Sequence, residues 1–349
     1  MGGFTSRRWL LALVPAILLA SACGESTPAG QGEGSPRGDA AGPLTVYSGR
    51  NEEFIGSLLQ RFQQDTGIRL EVRYADSAEL AATIIEEGSN SPADVFISQD
   101  AGSLGAVAEA GLFAPIEQRV WNRVDQRFRS PQRLWVGLSG RARVAAYNTE
   151  KLSENDLPDS ITGFTDPQWK GRIGFPPTNG SFQAFVAAMI LTDGEDATRQ
   201  FLQGLVANDP VLFEDNSSTV RAVASGEIEI GFVNHYYKYE IEAEDGPIPV
   251  ENHFFTGGDP GALVNAAGSG VLKSSDQKDS ATRLLDYMTG AIGQTYFAEE
   301  TFEYPVVAGH EPGVDLVPLE QIQSPAIDLS NLGEALEPAL KLLADVGLV

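Results

Sequence analysis

Cysteine is nearly absent: the 349-residue chain has one, Cys23. No intrachain disulfide can therefore hold the fold, and no thiolate cluster can hold a metal. Histidine is as scarce, and His235, His253 and His310 lack the paired spacing of a zinc site. Basic residues are few beside acidic ones, 24 against 48, for a formal charge of −24. So acidic a surface argues against nucleic acid or anionic lipid as partners. There is no Gly-x-Ser-x-Gly elbow and no Gly-rich phosphate loop followed by Lys, so the familiar hydrolase and nucleotide chemistries lack their residues. The chain reads as a binding protein, not an enzyme. Residues 9–19 form an apolar run too short to cross a bilayer.

That run belongs to an export signal over residues 1–22, with Arg7 and Arg8 as its positive start. Ala20-Ser21-Ala22 before Cys23 resembles a bacterial lipobox. It implies cleavage before Cys23 and lipid on its sulfur. Residues 23–43, rich in Gly, Ser, Pro and Ala, read as a flexible tether. The expected location is extracytoplasmic, periplasmic or lipid-anchored to the bacterial cell membrane, and the expected state is a monomer.

Beyond the tether the chain alternates strand and helix. Residues 44–47 read as a strand. Phe54, Ile55, Leu58, Leu59 and Phe62 mark a helix face. Residues 68–74 alternate as a strand, a second helix follows, and Val95-Phe96-Ile97 is a third strand. This order predicts an α/β fold with a parallel sheet covered by helices. Ligands in such sheets gather at the carboxyl ends of strands, here at Ser48-Gly49-Arg50-Asn51 and Ser98-Gln99-Asp100. Residues 134–149 read as two strands with a crossing between lobes, and a second α/β unit begins at residue 172. Gly180 and Ser181 open a helix and aim backbone N–H groups at a possible anion.

The strand at 228–233 runs into Asn234-His235-Tyr236-Tyr237. Adjacent side chains of an extended segment face opposite ways, so two phenols converge only if the backbone turns there. Converging phenolates suit a hard cation such as Fe³⁺. The alternative is aromatic packing at a strand end. His235, with no spaced partner, reads as structural or exposed rather than as a ligand.

Six segments in order then resemble the ferric-iron-binding solute-binding proteins of bacterial ABC importers, the bacterial transferrins. They are Tyr47-Ser48-Gly49-Arg50, Ser91-Pro92-Ala93-Asp94-Val95-Phe96, the run at 138–144, Pro177-Thr178-Asn179-Gly180-Ser181-Phe182, the Tyr-Tyr segment, and Asp259-Pro260-Gly261-Ala262 with residues 271–275. The resemblance implies a class II-like two-lobed clamshell, each lobe a mixed sheet flanked by helices and joined by crossing hinge strands. The expected first lobe is 44–142 plus 268–317, and the second is 143–267 plus 318–349. It implies capture of Fe³⁺ with a synergistic carbonate or bicarbonate, and delivery to an ABC permease in the cytoplasmic membrane.

By family pattern Tyr236 and Tyr237 are metal ligands and Tyr147 matches a third. One subgroup has histidine and glutamate ligands where Asn51 and Gln99 stand here, and another has tyrosine where Glu52 stands. These three are possible first-lobe contacts. The expectation is therefore a three-tyrosine site on the second lobe. Arg50 is expected to reach the anion from the first lobe, since guanidinium offers a planar oxyanion two parallel donors. Asn179, Gly180, Ser181, Asn216 and Asn234 are placed near the anion by the same analogy. Arg141 and Arg143 are weaker anion candidates, since charges at alternate strand positions also suit a solvated face. The rival reading is a metal-free clamshell for an oxyanion or small organic acid.

Overall fold

The structure is a computed structural model that describes residues 42–349. The signal, Cys23 and nearly all of the tether lie outside the described residues. Strand β1 (Leu44–Ser48) leads into helix α1 (Glu52–Thr66), which buries Ile55, Leu58, Leu59 and Phe62. Those four share one face at helical spacing, and Gly67 at φ 73° ends the helix in the left-handed conformation that glycine adopts without strain. Then come β2 (Leu70–Tyr74), α2 (Ser77–Glu87), β3 (Val95–Ser98), α3 (Ala101–Glu109) and the single turn α4 (Gln118–Trp121).

Strand β4 (Val136–Asn148) is continuous and buried along its length. The sequence suggested two strands with a crossing between them. One strand forms because a partner is present throughout. After β4 come β5 (Ile173–Phe175), α5 (Gly180–Asp193), α6 (Glu195–Ala207), β6 (Val211–Leu212), α7 (Asn216–Ser225), β7 (Ile230–Asn234) and α8 (Tyr236–Asp245). The chain closes with β8 (Val250–His253), β9 (Val264–Val271), α9 (Lys278–Met288), α10 (Ala291–Glu299), β10 (Tyr304–Pro305) and α11 (Leu332–Asp345).

The strand order is β2-β1-β3-β9-β4-β7-β5-β6, with β8 and β10 also on β4. Two parallel blocks, β2-β1-β3 and β7-β5-β6, flank an antiparallel centre. Ala142 of β4 stands opposite Val264 of β9, and the next residue, Arg143, stands opposite Asn234 of β7. β4 thus changes partner from β9 to β7 between residues 142 and 143. The chain returns alongside, where the Arg143 amide donates to the Leu263 carbonyl at 2.8 Å. α11 packs against both α3 and α5, closing the back.

Candidate metal and anion site

Six helices begin at one cleft, because the strands feeding them end there. Arg50 and Asn51 precede α1, Asp76 precedes α2 and Gln99 approaches α3. Thr178 and Asn179 precede α5, Glu214 and Asp215 precede α7, and Tyr236 and Tyr237 open α8. All of them line a cavity of about 580 Å³. The positive ends of the helix dipoles collect at it.

β7 ends at Asn234, and His235 already has helical dihedrals, φ −57° and ψ −34°. The alternation of the strand therefore stops before the tyrosines. Their rings lie 4.2 Å apart between centroids and 31° from parallel. Phe54 of α1 meets both edge-on, at 6.0 and 6.1 Å. Tyr236 and Tyr237 are 1% and 5% exposed. Burial raises the pKa of both. For Tyr236 the Arg141 and Arg50 charges oppose the rise, and Tyr237 is pushed well above the usual phenol value, with Tyr236 adding to it. Each phenol is therefore protonated at neutral pH, and ionising it would take a cation at its oxygen.

His235 is wholly buried and structural. Its Nδ1 accepts from the Ala142 amide at 3.2 Å, so its Nε2–H donates to the Phe302 carbonyl at 3.1 Å. Burial lowers its pKa to about 4, leaving it neutral.

Tyr147 does not join the pair, which corrects the three-tyrosine site. It stands opposite Ile230 and Glu251 in the ladders. Arg143, the residue level with Asn234, is four positions back along β4, roughly 13 Å away. Tyr147 also packs elsewhere. Val144 and Ala146 pack with Tyr236 and Tyr237, whereas Ala145 and Tyr147 pack in the cluster with Phe232. Burial, with Glu154 adding, pushes the Tyr147 phenol up to about 12.

Arg50 lines the cavity, but its charge is already matched. Its Nη1 donates to Glu303 Oε1 at 2.8 Å, and both side chains are buried. Arg141 and Arg143 are buried too, at 1% and 3% exposed, which removes the solvated-face reading. Arg141 lies 3.8 Å from Glu303. Among the described residues, all three of its guanidinium nitrogens lack a hydrogen-bond partner, as do Arg143 Nη1 and Asn234 Nδ2. Arg143 Nη2 donates to the Phe232 carbonyl at 2.9 Å, and its guanidinium lies over Phe182 and Phe185. Burial lowers its pKa to about 9 against the pull of Tyr237, and neighbouring Arg141 lowers it further.

Asn179 caps α5 and accepts from the Ser181 amide and hydroxyl at 3.0 and 2.7 Å. Asn216 Nδ2 reaches Ser181 Oγ at 3.5 Å. Gly180 sits beside them, and Asp100 of the other half approaches it: a Cβ there would lie 3.6 Å from Asp100 Oδ2. Asn179, Gly180, Ser181 and Asn216 thus fall together at the starts of α5 and α7, while Asn234 ends β7 opposite Arg143 and Arg50 precedes α1. Asn51 and Gln99 line the cavity. Glu52 does not; it is exposed and lines a separate surface hollow with Gly56 and Tyr74.

Two carboxylates escaped the sequence reading. Glu303 meets Arg50 across 253 residues, and nothing local signals that. Glu240 lines the cavity one helical turn beyond the tyrosines. Burial, then like charge from Glu244, pushes it up to about 7. Its signal was the helical spacing, visible once the turn at His235 is known.

Comparison with known proteins identifies the family. The model of the bacterial extracellular solute-binding protein family matches residues 90–328. The chain belongs to that family. It is 34% identical over 335 residues to the major ferric iron-binding protein of Neisseria meningitidis serogroup B, covering 95% of this chain and 97% of that protein. The crystal structure of iron-bound HitA from Pseudomonas aeruginosa is 36% identical, with a TM-score of 0.84 over 88% of this chain and 99% of that one. Trichodesmium IdiA (FutA) in complex with iron and citrate is 31% identical, with a TM-score of 0.75 over 88% and 100%.

Proposed function

We propose that this solute-binding protein captures ferric iron outside the cytoplasmic membrane and hands it to the permease of an ABC importer. The observation that carries the reading is the buried Tyr236–Tyr237 pair, its rings 4.2 Å apart, on the wall of the interlobe cavity. Two phenols that burial keeps protonated are poor donors to a neutral solute and strong ones to a hard trivalent cation once ionised. Each loses its proton on binding, so affinity rises with pH and iron is released on acidification.

The metal needs more than two phenolates, and a small oxyanion such as carbonate or bicarbonate completes its coordination. Support comes from the partnerless donors of Arg141, Arg143 and Asn234, with Ser181 and the first turn of α5 nearby. This moves the anion's main counter-charge from Arg50, which Glu303 neutralises, to Arg141 and Arg143. Closure of the lobes follows from contacts made on both sides. Anchoring through lipid on Cys23 and a monomeric state belong to the same proposal.

The test is isothermal titration of the soluble chain lacking residues 1–23. One arm adds ferric nitrilotriacetate in bicarbonate buffer. The others add bicarbonate, phosphate or citrate without iron. Tight binding in the first arm alone supports ferric capture. Equal binding of an iron-free anion would favour the metal-free oxyanion carrier.

A further inference from the structure

Two phenolates on Fe³⁺ leave one positive charge on the centre, and Tyr147 is too far away to cancel it. Glu240 lies three residues after Tyr237 and four after Tyr236 in α8, the spacings that bring side chains onto one helix face. It lines the same cavity as the pair. Its Oε2 is buried and has no hydrogen-bond partner among the described residues. Its neighbours on the helix differ: Glu244 and Asp245 both pair with Arg221. A carboxylate held without a cation costs stability unless something compensates it, and a carboxylate oxygen is as hard a donor as a phenolate.

We propose that Glu240 is the third anionic protein ligand of the ferric ion, giving a Tyr-Tyr-Glu site carried on a single helix. The inference rests on the ferric reading of the cleft. With Glu240 bound, the protein ligands neutralise the metal, and the oxyanion supplies the net negative charge that Arg141 and Arg143 face. The first lobe then closes over a metal already held by the second.

The test compares wild type with Glu240→Gln, Glu240→Asp, Tyr237→Phe and the control Glu242→Gln, each titrated with ferric nitrilotriacetate in bicarbonate buffer. Glu242→Gln changes the net charge equally on the same helix. The expected result for Glu240→Gln is a ferric affinity lower by at least about 10-fold, with a tyrosinate charge-transfer band still present but shifted in wavelength. Glu240→Asp is expected to restore part of the affinity, and Glu242→Gln to match wild type. The iron-free Glu240→Gln protein is expected to unfold no earlier than wild type, since it loses an unpartnered carboxylate rather than a structural contact. Unchanged affinity and band position in Glu240→Gln, beside a lost band in Tyr237→Phe, would overturn the role of Glu240 and leave the ferric site standing. No band in wild type would instead overturn the ferric reading, and this inference with it.

Discussion

Arg50 and Glu303 form a buried ion pair at 2.8 Å, 253 residues apart in sequence. It ties the exit loop of β1 to the segment before β10, with Thr301 Oγ1 donating to the second carboxylate oxygen at 2.8 Å. Burial alone would raise the Glu303 pKa, but the Arg50 charge and hydrogen bond outweigh it and hold it below the ordinary carboxylate value. Its stabilisation is therefore complete above that ordinary value and fades as pH falls through the lower, folded one. Glu303→Gln leaves a buried guanidinium unmatched, a loss on the order of 3–5 kcal/mol. Urea denaturation of the iron-free protein at pH 7 measures it, and a loss under about 1 kcal/mol would show that the pair contributes little.

His235 sets a second pH dependence. Its folded pKa is depressed to about 4, against about 6.5 when unfolded. Between those values the unfolded chain binds the extra proton, so stability falls as pH falls. The full effect is about 3 kcal/mol, reached below pH 4. In denaturation of the iron-free protein at pH 7 and pH 5, wild type is expected to lose about 2 kcal/mol relative to His235→Gln on going to the lower pH. Glu240, pushed up to about 7, works in the opposite direction over the same range, so the wild-type profile alone decides nothing; identical pH dependence in wild type and His235→Gln would contradict the buried neutral imidazole.

Tyr147 offers a negative test. Because it stands four positions along β4 from Arg143, level with Ile230 rather than Asn234, Tyr147→Phe is expected to keep the charge-transfer band and the ferric affinity within about twofold. Loss of the band would return Tyr147 to the metal.

Gly49 marks a close approach. A Cβ there would fall 2.0 Å from Ser77 Oγ and 2.8 Å from Ser77 Cα. The same Ser77 hydroxyl accepts from the Gln99 amide at 2.9 Å, joining the exit loops of β1 and β3. Gly49→Ala is expected to cost about 1–3 kcal/mol in thermal or urea unfolding and to weaken ferric binding by displacing Arg50. Wild-type stability would mean that α2 yields freely.

The α/β architecture was legible because its signals are local. The apolar spacing of 54–62 became α1, and the turn into Tyr236 was implied by two adjacent phenols that could act together only off a strand. β4 was misdivided because continuity depends on partners: β9 holds its first half and β7 its second, and neither pairing leaves a mark at 140–143. Arg141 and Arg143 read equally well as surface charge because alternation does not say which faces are covered. Tyr147 was misassigned because its distance along β4 from the pair appears only once β4 and β7 are in register. Glu303 lay beyond reach, its role depending on a contact 253 residues away.

The central claim is that Tyr236 and Tyr237 bind ferric iron. Its most direct test is the visible spectrum of the purified domain before and after ferric iron and bicarbonate are added, in wild type, Tyr236→Phe and Tyr237→Phe. The account expects a tyrosinate-to-iron charge-transfer band in wild type that is lost or strongly reduced in each variant. A colourless wild type, or a band that survives both substitutions, would contradict it.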